Sequence, residues 1–298
     1  VSKLLFRSGA QEIQFSGNTI NANNRALNLS LKNVALEGFF PQRETLQVAG
    51  KANLELFYER SPERNQLVLQ TNIDDLVVNK EQLGRLSFHS QGNTKLNSYN
   101  FDMGIRQGQT NSLEVDGSFL KLDTASLNSN LRFNNFDISF LSALGKTAIN
   151  RIRGKVSGDT TLWGPLENLQ HNGNLQLTNG GFAIPFLNTD YTTALANVRL
   201  YNQTFDFENT RLEDTEENTQ ANLKGQFSHT NFTDWDANLD ITSSRIMILN
   251  KPQEENVLFF GKGYLDGSVG VSGPTNNLLI SVEGTTEKGT SIKVPWAE

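Results

Sequence analysis

One phrase of twelve residues occurs twice in this chain, about 109 residues apart. Residues 154–165 read GKVSGDTTLWGP and residues 263–274 read GYLDGSVGVSGP, so three glycines and one proline recur at a constant offset. An Asn-Leu pair, a stretch of alternating apolar and polar residues, and a Gly-containing polar break follow both copies. A repeat at a fixed period indicates an architecture built by placing similar units side by side.

Weaker copies extend this repeat towards the start of the chain. Residues 131–141 (LRFNNFDISFL) align with residues 239–249 (LDITSSRIMIL), and a fainter copy precedes both. The sequence therefore predicts one elongated, repeat-built β domain over residues 1–298. Its predicted units cover roughly residues 11–112, 113–222 and 223–298. Because the chain opens on Val1 in the middle of the pattern, we expect it to be a fragment of a larger protein.

The dominant local signal is an alternation of apolar and polar residues, which is the period of a β-strand. The runs are about five residues long, end at Gly, Asn, Asp or Ser, and are typical of antiparallel strands joined by tight turns. A helical pattern is nearly absent. The best candidate is one short helix at Ser139 to Ala148, and Lys80 to Leu83 could form a single turn.

Composition excludes several classes of function. The 26 basic and 32 acidic residues give a net charge of −6, and no basic cluster is present, so neither a nucleic acid nor an anionic membrane surface is expected as a partner. The chain has no cysteine, which excludes disulfides and thiolate metal sites. No metal, cofactor or catalytic residue is predicted, and we expect a protein that is not an enzyme.

The alternating strands need a cover for their apolar side, and the sequence encodes no helix layer to provide it. An open sheet rarely exceeds about ten strands without curling or splitting. We therefore predict an all-β fold, a long curled antiparallel sheet with an apolar concave face. The residues predicted to line this groove are Phe133, Phe136, Ile138, Phe140, Phe182, Ile184, Phe186, Phe205, Phe207, Leu239, Ile241, Ile246, Ile248, Val269, Val271, Ile292, Val294 and Trp296.

Two interpretations of this face remain open at the level of sequence. A tightly closed curl would make it an ordinary dry core, whereas an open curl would make it a trough suited to an acyl chain, at about 0.8 kcal/mol per buried CH₂. No ionisable residue is predicted on this face. Pro185 and Pro295 each interrupt an alternating run, and since proline cannot donate to a ladder, we expect the sheet to have seams there.

The repeated phrase, followed by GNLQLTNGG at residues 173–181, resembles the C-terminal repeat region of TamB, the translocation and assembly module subunit. TamB lies within the AsmA-like group of bridge-type lipid transfer proteins. The resemblance is good over residues 150–298 and weaker before them. It implies a taco-shaped or tubular sheet with a hydrophobic interior, located in the periplasm of a diderm bacterium. The parent protein would then be anchored in the inner membrane by a segment outside these residues.

The same resemblance implies a function and two kinds of partner. The function is phospholipid transport between the inner and outer membranes, together with outer-membrane biogenesis. The partners are phospholipid acyl chains and an outer-membrane barrel of the Omp85 class, similar to TamA. A structural β-solenoid of the adhesin type, or a scaffold for outer-membrane protein assembly that conducts no lipid, is the alternative; a repeat near 108 residues favours the lipid function.

We expect the histidines and the main acidic stretch of the sequence to be exposed to water. His89, His171 and His229 have no partner at metal-ligand spacing, and the last two lie in polar contexts that predict exposed turns. The acidic stretch from Asp234 to Asp240 places its polar residues on one strand face, where consecutive members lie about 7 Å apart and cannot share one ion. We expect it to form the water-facing side of its strand.

Overall fold

A computed structural model describes residues 2–21, 23–39, 46–145, 149–254 and 258–295. Strands account for 77 % of the structure, and the strands pair antiparallel. The predicted all-β class and antiparallel sheet are therefore confirmed, and the sheet is open and not closed into a barrel. Short 3₁₀ helices are the one kind of helix among the described residues.

The chain divides into two compact units. Unit 1 comprises residues 1–136 and 159–170, and unit 2 comprises residues 137–158 and 171–298. The three units predicted above were defined by sequence repeats, whereas these two units are defined by compactness in space. The boundaries of the three repeat units therefore stay a prediction.

Unit 1 is a ladder in which each strand pairs with the next one along the chain. Its strands are β1 (Ser2–Ser8), β2 (Gln11–Asn21), β3 (Asn24–Ala35), β4 (Val48–Arg60), β5 (Asn65–Val78), β6 (Glu81–Gly92), β7 (Ser98–Gln107), β8 (Thr110–Leu120) and β9 (Ser126–Asp137), and a 3₁₀ helix η1 (Leu36–Gly38) follows β3. Consecutive pairing through short turns is what the alternating runs and their polar breaks predict.

Unit 2 repeats this arrangement, with one departure at its end. Its elements are the 3₁₀ helix η2 (Ser139–Leu144), the first part of β10 (Asn150–Pro165), β11 (Gln170–Ile184), β12 (Thr189–Asn202), β13 (Thr204–Asp214), β14 (Gln220–Thr230), β15 (Thr233–Lys251), β16 (Phe260–Pro274), β17 (Leu279–Thr286) and β18 (Ser291–Lys293). Strand β16 is long enough to pair with β17 along one half and with β18 along the other.

The two predicted helical segments have different outcomes. The short helix beginning at Ser139 is confirmed as η2, although it is a 3₁₀ helix that ends at Leu144, and Ala148 lies outside the described residues. The turn predicted over Lys80 to Leu83 is wrong. Asn79 and Lys80 form the tight turn between β5 and β6 with φ of 52° and 72°, and β6 already runs from Glu81. Positive φ at both central residues is the geometry that matches the twist of a hairpin.

Two prolines end strands where we expected them to lie within strands. Strand β11 ends at Ile184, and Pro185 opens the turn to β12, in which Asn188 N–H donates to the Pro185 carbonyl at 3.1 Å. Pro295 likewise follows the end of β18. Both strands end before their proline because proline has no backbone N–H to donate to the neighbouring strand.

The structure explains why glycine recurs at two positions of the repeated phrase. Gly158 in β10 and Gly267 in β16 are equivalent in the repeat, and their φ values are +134° and +151°. A Cβ at Gly267 would overlap the carbonyl oxygen of Glu283 on β17, and one at Gly158 would overlap that of Asn174 on β11. The repeat therefore preserves positions where strands approach too closely for any side chain.

We expect Gly267→Ala to lower the free energy of unfolding by about 1–3 kcal/mol, because the new methyl group must displace the neighbouring strand and adopt an unfavourable φ. Denaturant unfolding monitored by circular dichroism measures the change. Gly38→Ala is the matched control, since a Cβ there meets nothing within 4 Å. Equal stability of the two variants would contradict this account of the repeat.

Candidate functional site

One face of unit 2 is apolar across six successive strand pairs. In an antiparallel sheet, directly opposed residues point to the same side. The registers place one cross-strand row on this side, which we call the apolar face, and the row consists of Leu175, Val198, Phe207, Gly225, Leu239, Val271 and Ile280. An apolar row that continues over seven strands is a sheet face and not a local pocket.

Unit 1 has an apolar face built in the same way. One row crosses its nine strands and consists of Phe6, Ile13, Leu31, Leu54, Thr71, Phe88, Met103, Val115 and Leu131. Eight of these nine side chains are apolar. Of the residues predicted to line a groove, Phe133 lies one step further along the same face of β9, opposite Leu113.

The opposite side of unit 2 is polar and carries ion pairs between neighbouring strands. Arg199 contacts Asp206 at 2.6 Å and Lys224 contacts Asp240 at 3.2 Å, in both cases between directly opposed residues. Asp234, Asp236 and Asn238 are exposed on this side. The prediction that the acidic stretch of β15 faces water is therefore confirmed for these three residues.

Six of the predicted groove residues come together in unit 2. Phe182, Ile184, Ile241, Ile246, Ile248 and Val269 belong to one apolar cluster. The cluster also contains Tyr191, Ala221 and Leu265, which the sequence analysis did not select. It occupies the end of the sheet where β11 finishes and β16 begins.

The remaining predicted groove residues are distributed over several environments. Phe205, Phe207, Leu239 and Val271 are half-buried in the middle and at the other end of the apolar face. In unit 1, the Phe133 and Phe136 rings lie 5.8 Å apart. Ile138 and Phe140 are half-buried at η2.

Three predicted groove residues are exposed. Phe186, Ile292 and Val294 have exposed fractions of 56, 52 and 72 %, because the turn after β11 and the strand β18 lie at the rim of unit 2. Trp296 lies outside the described residues.

Sequence reasoning missed three buried residues at alternate positions of one strand of the apolar face. Ala196, Val198 and Leu200 on β12 are almost fully buried. Their alternation in the segment 196–200 (ANVRL) is clear, but the selection favoured segments rich in phenylalanine and isoleucine. Parity along β12 would have identified them.

At one end of unit 2 the sheet bends back on itself. The Tyr191 hydroxyl on β12 donates to the Met247 carbonyl on β15 at 2.8 Å. Three ladder steps separate these strands, so in a flat sheet they would lie about 14 Å apart. The Asn250 N–H of β15 also donates to the Leu187 carbonyl in the turn after β11, at 3.0 Å. These bonds bridge the apolar face, and burial raises the pKa of Tyr191 to about 12.

A carboxylate is buried beside this bridge. Asp214, at the end of β13, is 1 % exposed. It accepts hydrogen bonds from the backbone N–H groups of Glu216, Glu217 and Thr219 and from the Thr219 hydroxyl. The carboxylate is satisfied by its own hairpin turn and fixes the turn that leads into β14.

At the other end, two histidines face each other across the apolar face. His171 of β11 and His229 of β14 are 3 and 5 % exposed, and their Nε2 atoms lie 3.0 Å apart. The expectation that they are solvated turn residues is wrong, and so is the expectation that this face has no ionisable member. Each lies within a strand, at the parity of the apolar side chains, and the curl of the sheet brings them together.

The described residues contain no group of three or more His, Cys, Asp or Glu side chains placed to hold a metal ion. Within the described ranges, no helix combines the length and apolarity needed to cross a membrane.

These units belong to the class of all-β proteins made of consecutively paired strands with one apolar and one polar face. Residues 208–298 match the family model of the TamB C-terminal domain. The resemblance predicted from the repeated phrase is thereby confirmed over this region, and the match indicates a protein of the cell envelope. Comparison with curated proteins and with solved structures gave no match.

We expect Tyr191→Phe to lower the free energy of unfolding by about 1–3 kcal/mol, because it leaves the buried Met247 carbonyl without its phenol donor. Denaturant unfolding and hydrogen exchange at residues 187–191 provide the measurement. Tyr201→Phe is the matched control: its hydroxyl donates to Gln226 Oε1 at 2.9 Å on the polar side, where water can replace it. A larger effect in the control would count against the bridge.

Proposed function

We propose that this chain is a hydrophobic-groove module of the periplasm that carries phospholipid between the inner and outer membranes and so contributes to outer-membrane biogenesis. The ligand portion that it accommodates is the acyl chain, which lies along the apolar face. The headgroup stays in water at the open side of the sheet.

A single observation carries this proposal: each unit has an apolar row that crosses its ladder, and many residues of the unit 2 row remain half-buried. Phe207, Leu239 and Val271 lie in the middle of the unit 2 face and keep part of their surface accessible. A dry core of this size would bury such side chains almost completely. A surface that is apolar, long and only partly covered suits an acyl chain, which gains about 0.8 kcal/mol per buried CH₂.

The match to the TamB C-terminal domain over residues 208–298 supports the same location and partners. In the proposed arrangement the chain works with an Omp85-class barrel of the outer membrane. The parent protein is anchored in the inner membrane by a segment outside this sequence.

A second candidate function is an assembly scaffold for outer-membrane proteins that conducts no lipid. The bridge between Tyr191 and Met247 favours it, because a curl held by a buried hydrogen bond at 2.8 Å reduces the space above that end of the face. The two candidates differ in one measurable property, which is whether lipid occupies the middle of the face.

We also propose that the chain performs no catalysis. The buried ionisable side chains of unit 2 have structural partners: Asp214 is bound by its own turn, and His171 and His229 contact each other. The proposed function requires a continuous surface and no reacting group.

The lipid function predicts that Leu239→Asp abolishes lipid binding without unfolding the chain. Leu239 is half-buried, so a carboxylate there can remain hydrated while it removes apolar surface from the middle of the row. Native mass spectrometry of the purified protein for co-purifying phospholipid, with circular dichroism as the test of folding, gives the answer.

Asn238→Asp is the matched control, since Asn238 is the neighbouring residue on the exposed polar side of the same strand. We expect it to retain phospholipid. Absence of phospholipid from the unmodified chain, together with unfolding of Leu239→Asp, would show that the face is a dry core and would favour the scaffold.

A further inference from the structure

The environment of the two histidines determines where their protons are. The Phe232 backbone N–H donates to His229 Nδ1 at 3.0 Å, so this nitrogen must carry a lone pair. In the neutral ring the proton then lies on His229 Nε2, which donates to His171 Nε2 at 3.0 Å. His171 is therefore protonated on Nδ1, a buried atom that makes no hydrogen bond in the structure.

We propose that the His171–His229 pair is an acid-labile latch that holds β11 to β14 across the apolar face of unit 2. These strands are three ladder steps apart, and a flat sheet would separate them by about 14 Å. The latch therefore maintains the curl at this end of the unit, as the bond between Tyr191 and Met247 does at the other end. The latch rests on the geometry of the pair and adds regulation to the proposed function.

The neutral pair can accept one more proton at either of two nitrogen atoms, and in both cases a hydrogen bond is broken. A proton on His171 Nε2 would oppose the N–H of His229 at the same short distance, and a proton on His229 Nδ1 would oppose the N–H of Phe232. The resulting positive charge would also be buried away from water, because the two rings are almost fully covered and aromatic side chains surround them. The Phe205 ring is 4.7 Å from that of His171, and the rings of Phe232 and Trp235 are 4.4 and 4.7 Å from that of His229.

The charged and titratable groups around the pair do not offset that charge. Strand β11 carries no other ionisable side chain. On β12 to β15, the register places these ionisable side chains at the same end of unit 2 as the pair: Arg199 and Tyr201 of β12, Asp206 and Glu208 of β13, Lys224 of β14, and Asp234 and Asp236 of β15. Arg199, Asp206 and Lys224 are paired on the polar side, the Tyr201 hydroxyl bonds Gln226 there, and Glu208, Asp234 and Asp236 are exposed.

Burial, and after it the charge of His229, lowers the pKa of His171 from 6.5 to about 4, and burial also lowers the pKa of His229. A histidine whose pKa is lowered in the closed state binds a proton more tightly once that state opens. Opening is therefore favoured as the pH falls below 6.5, and the gain levels off near the closed-state pKa of about 4. For one proton, the opening equilibrium rises roughly tenfold per pH unit in this window.

The pair does not suit a metal ion. A metal bound to both Nε2 atoms would require His229 to carry its proton on Nδ1, where the Phe232 N–H already points. The described residues also supply no third His, Cys, Asp or Glu ligand to it. The contact is a hydrogen bond between neutral rings.

Two measurements on the lipid-free, full 298-residue chain test the latch. Nitrogen-15 NMR of the histidine rings near neutral pH is expected to show His229 protonated on Nε2 and His171 on Nδ1. Hydrogen exchange, corrected for intrinsic rates, is expected to accelerate roughly tenfold per pH unit at residues 200–206 and 227–235 as the pH falls from 6.5 towards 4. Residues 241–249, at the other end, should keep their protection over this range.

The double variant His171→Phe/His229→Phe removes both partners of the bond between the rings together, which a buried site tolerates far better than the loss of one partner. The Phe232 N–H loses its acceptor, but Phe232 is 42 % exposed and water can replace the bond. It should lose the acid response and retain the fold. His89→Gln is the control: His89 is in unit 1, pairs with Asp102 at 3.2 Å, and its replacement should leave the response unchanged.

An unchanged acid response in the double variant, uniform protection of the unmodified chain over the whole pH window, or the reverse tautomers in the NMR spectrum would each overturn the latch. Should the double variant fail to fold, the tautomer measurement still decides the question. None of these readouts involves lipid. Failure of the latch and failure of the proposed lipid function are therefore distinguishable.

Discussion

Backbone hydrogen bonding between strands that are consecutive in the chain is the interaction on which everything else here depends. It fixes which residues oppose one another, and the alternation of side chains then separates an apolar from a polar side. No helix layer covers the apolar side among the described residues. Curling within a unit is the means left to reduce its exposure to water. The bond from the Tyr191 hydroxyl to the Met247 carbonyl is where that curling is most direct.

The sequence was sufficient for those features that depend on local chemistry. Period-two runs and the polar breaks between them predicted the strands and their consecutive antiparallel pairing. The 3₁₀ helix at Ser139 was located within a few residues of its true end. In each case the determining interactions lie within one strand or between two adjacent strands, so the pattern of residues contains the information.

Features that depend on register over several strands could not be predicted in the same way. β-Bulges interrupt the pairing of β13 with β14 between Phe207 and Thr210, and that of β15 with β16 between Ser243 and Ile246. A bulge of this kind shifts the alternation, so parity counted from one part of a strand fails in the next. The contact between His171 and His229 is harder still to predict from the sequence, because 58 residues and three ladder steps separate them. Their polar neighbours in sequence indicated turns, whereas the curl decided their burial.

The polar groups on the apolar face have a common property that distinguishes them from ordinary core residues. Apolar side chains can pack against one another over a range of separations and orientations, since apolar contacts are not directional. A hydrogen bond such as that of Tyr191, or that between the two histidines, forms at one separation and one orientation. Each therefore specifies how far the sheet curls. The half-buried side chains between the two bridges, among them Leu239 and Val271, are left with a defined amount of accessible apolar surface. A groove needs that defined width if it is to admit a slender apolar ligand without collapsing into a core.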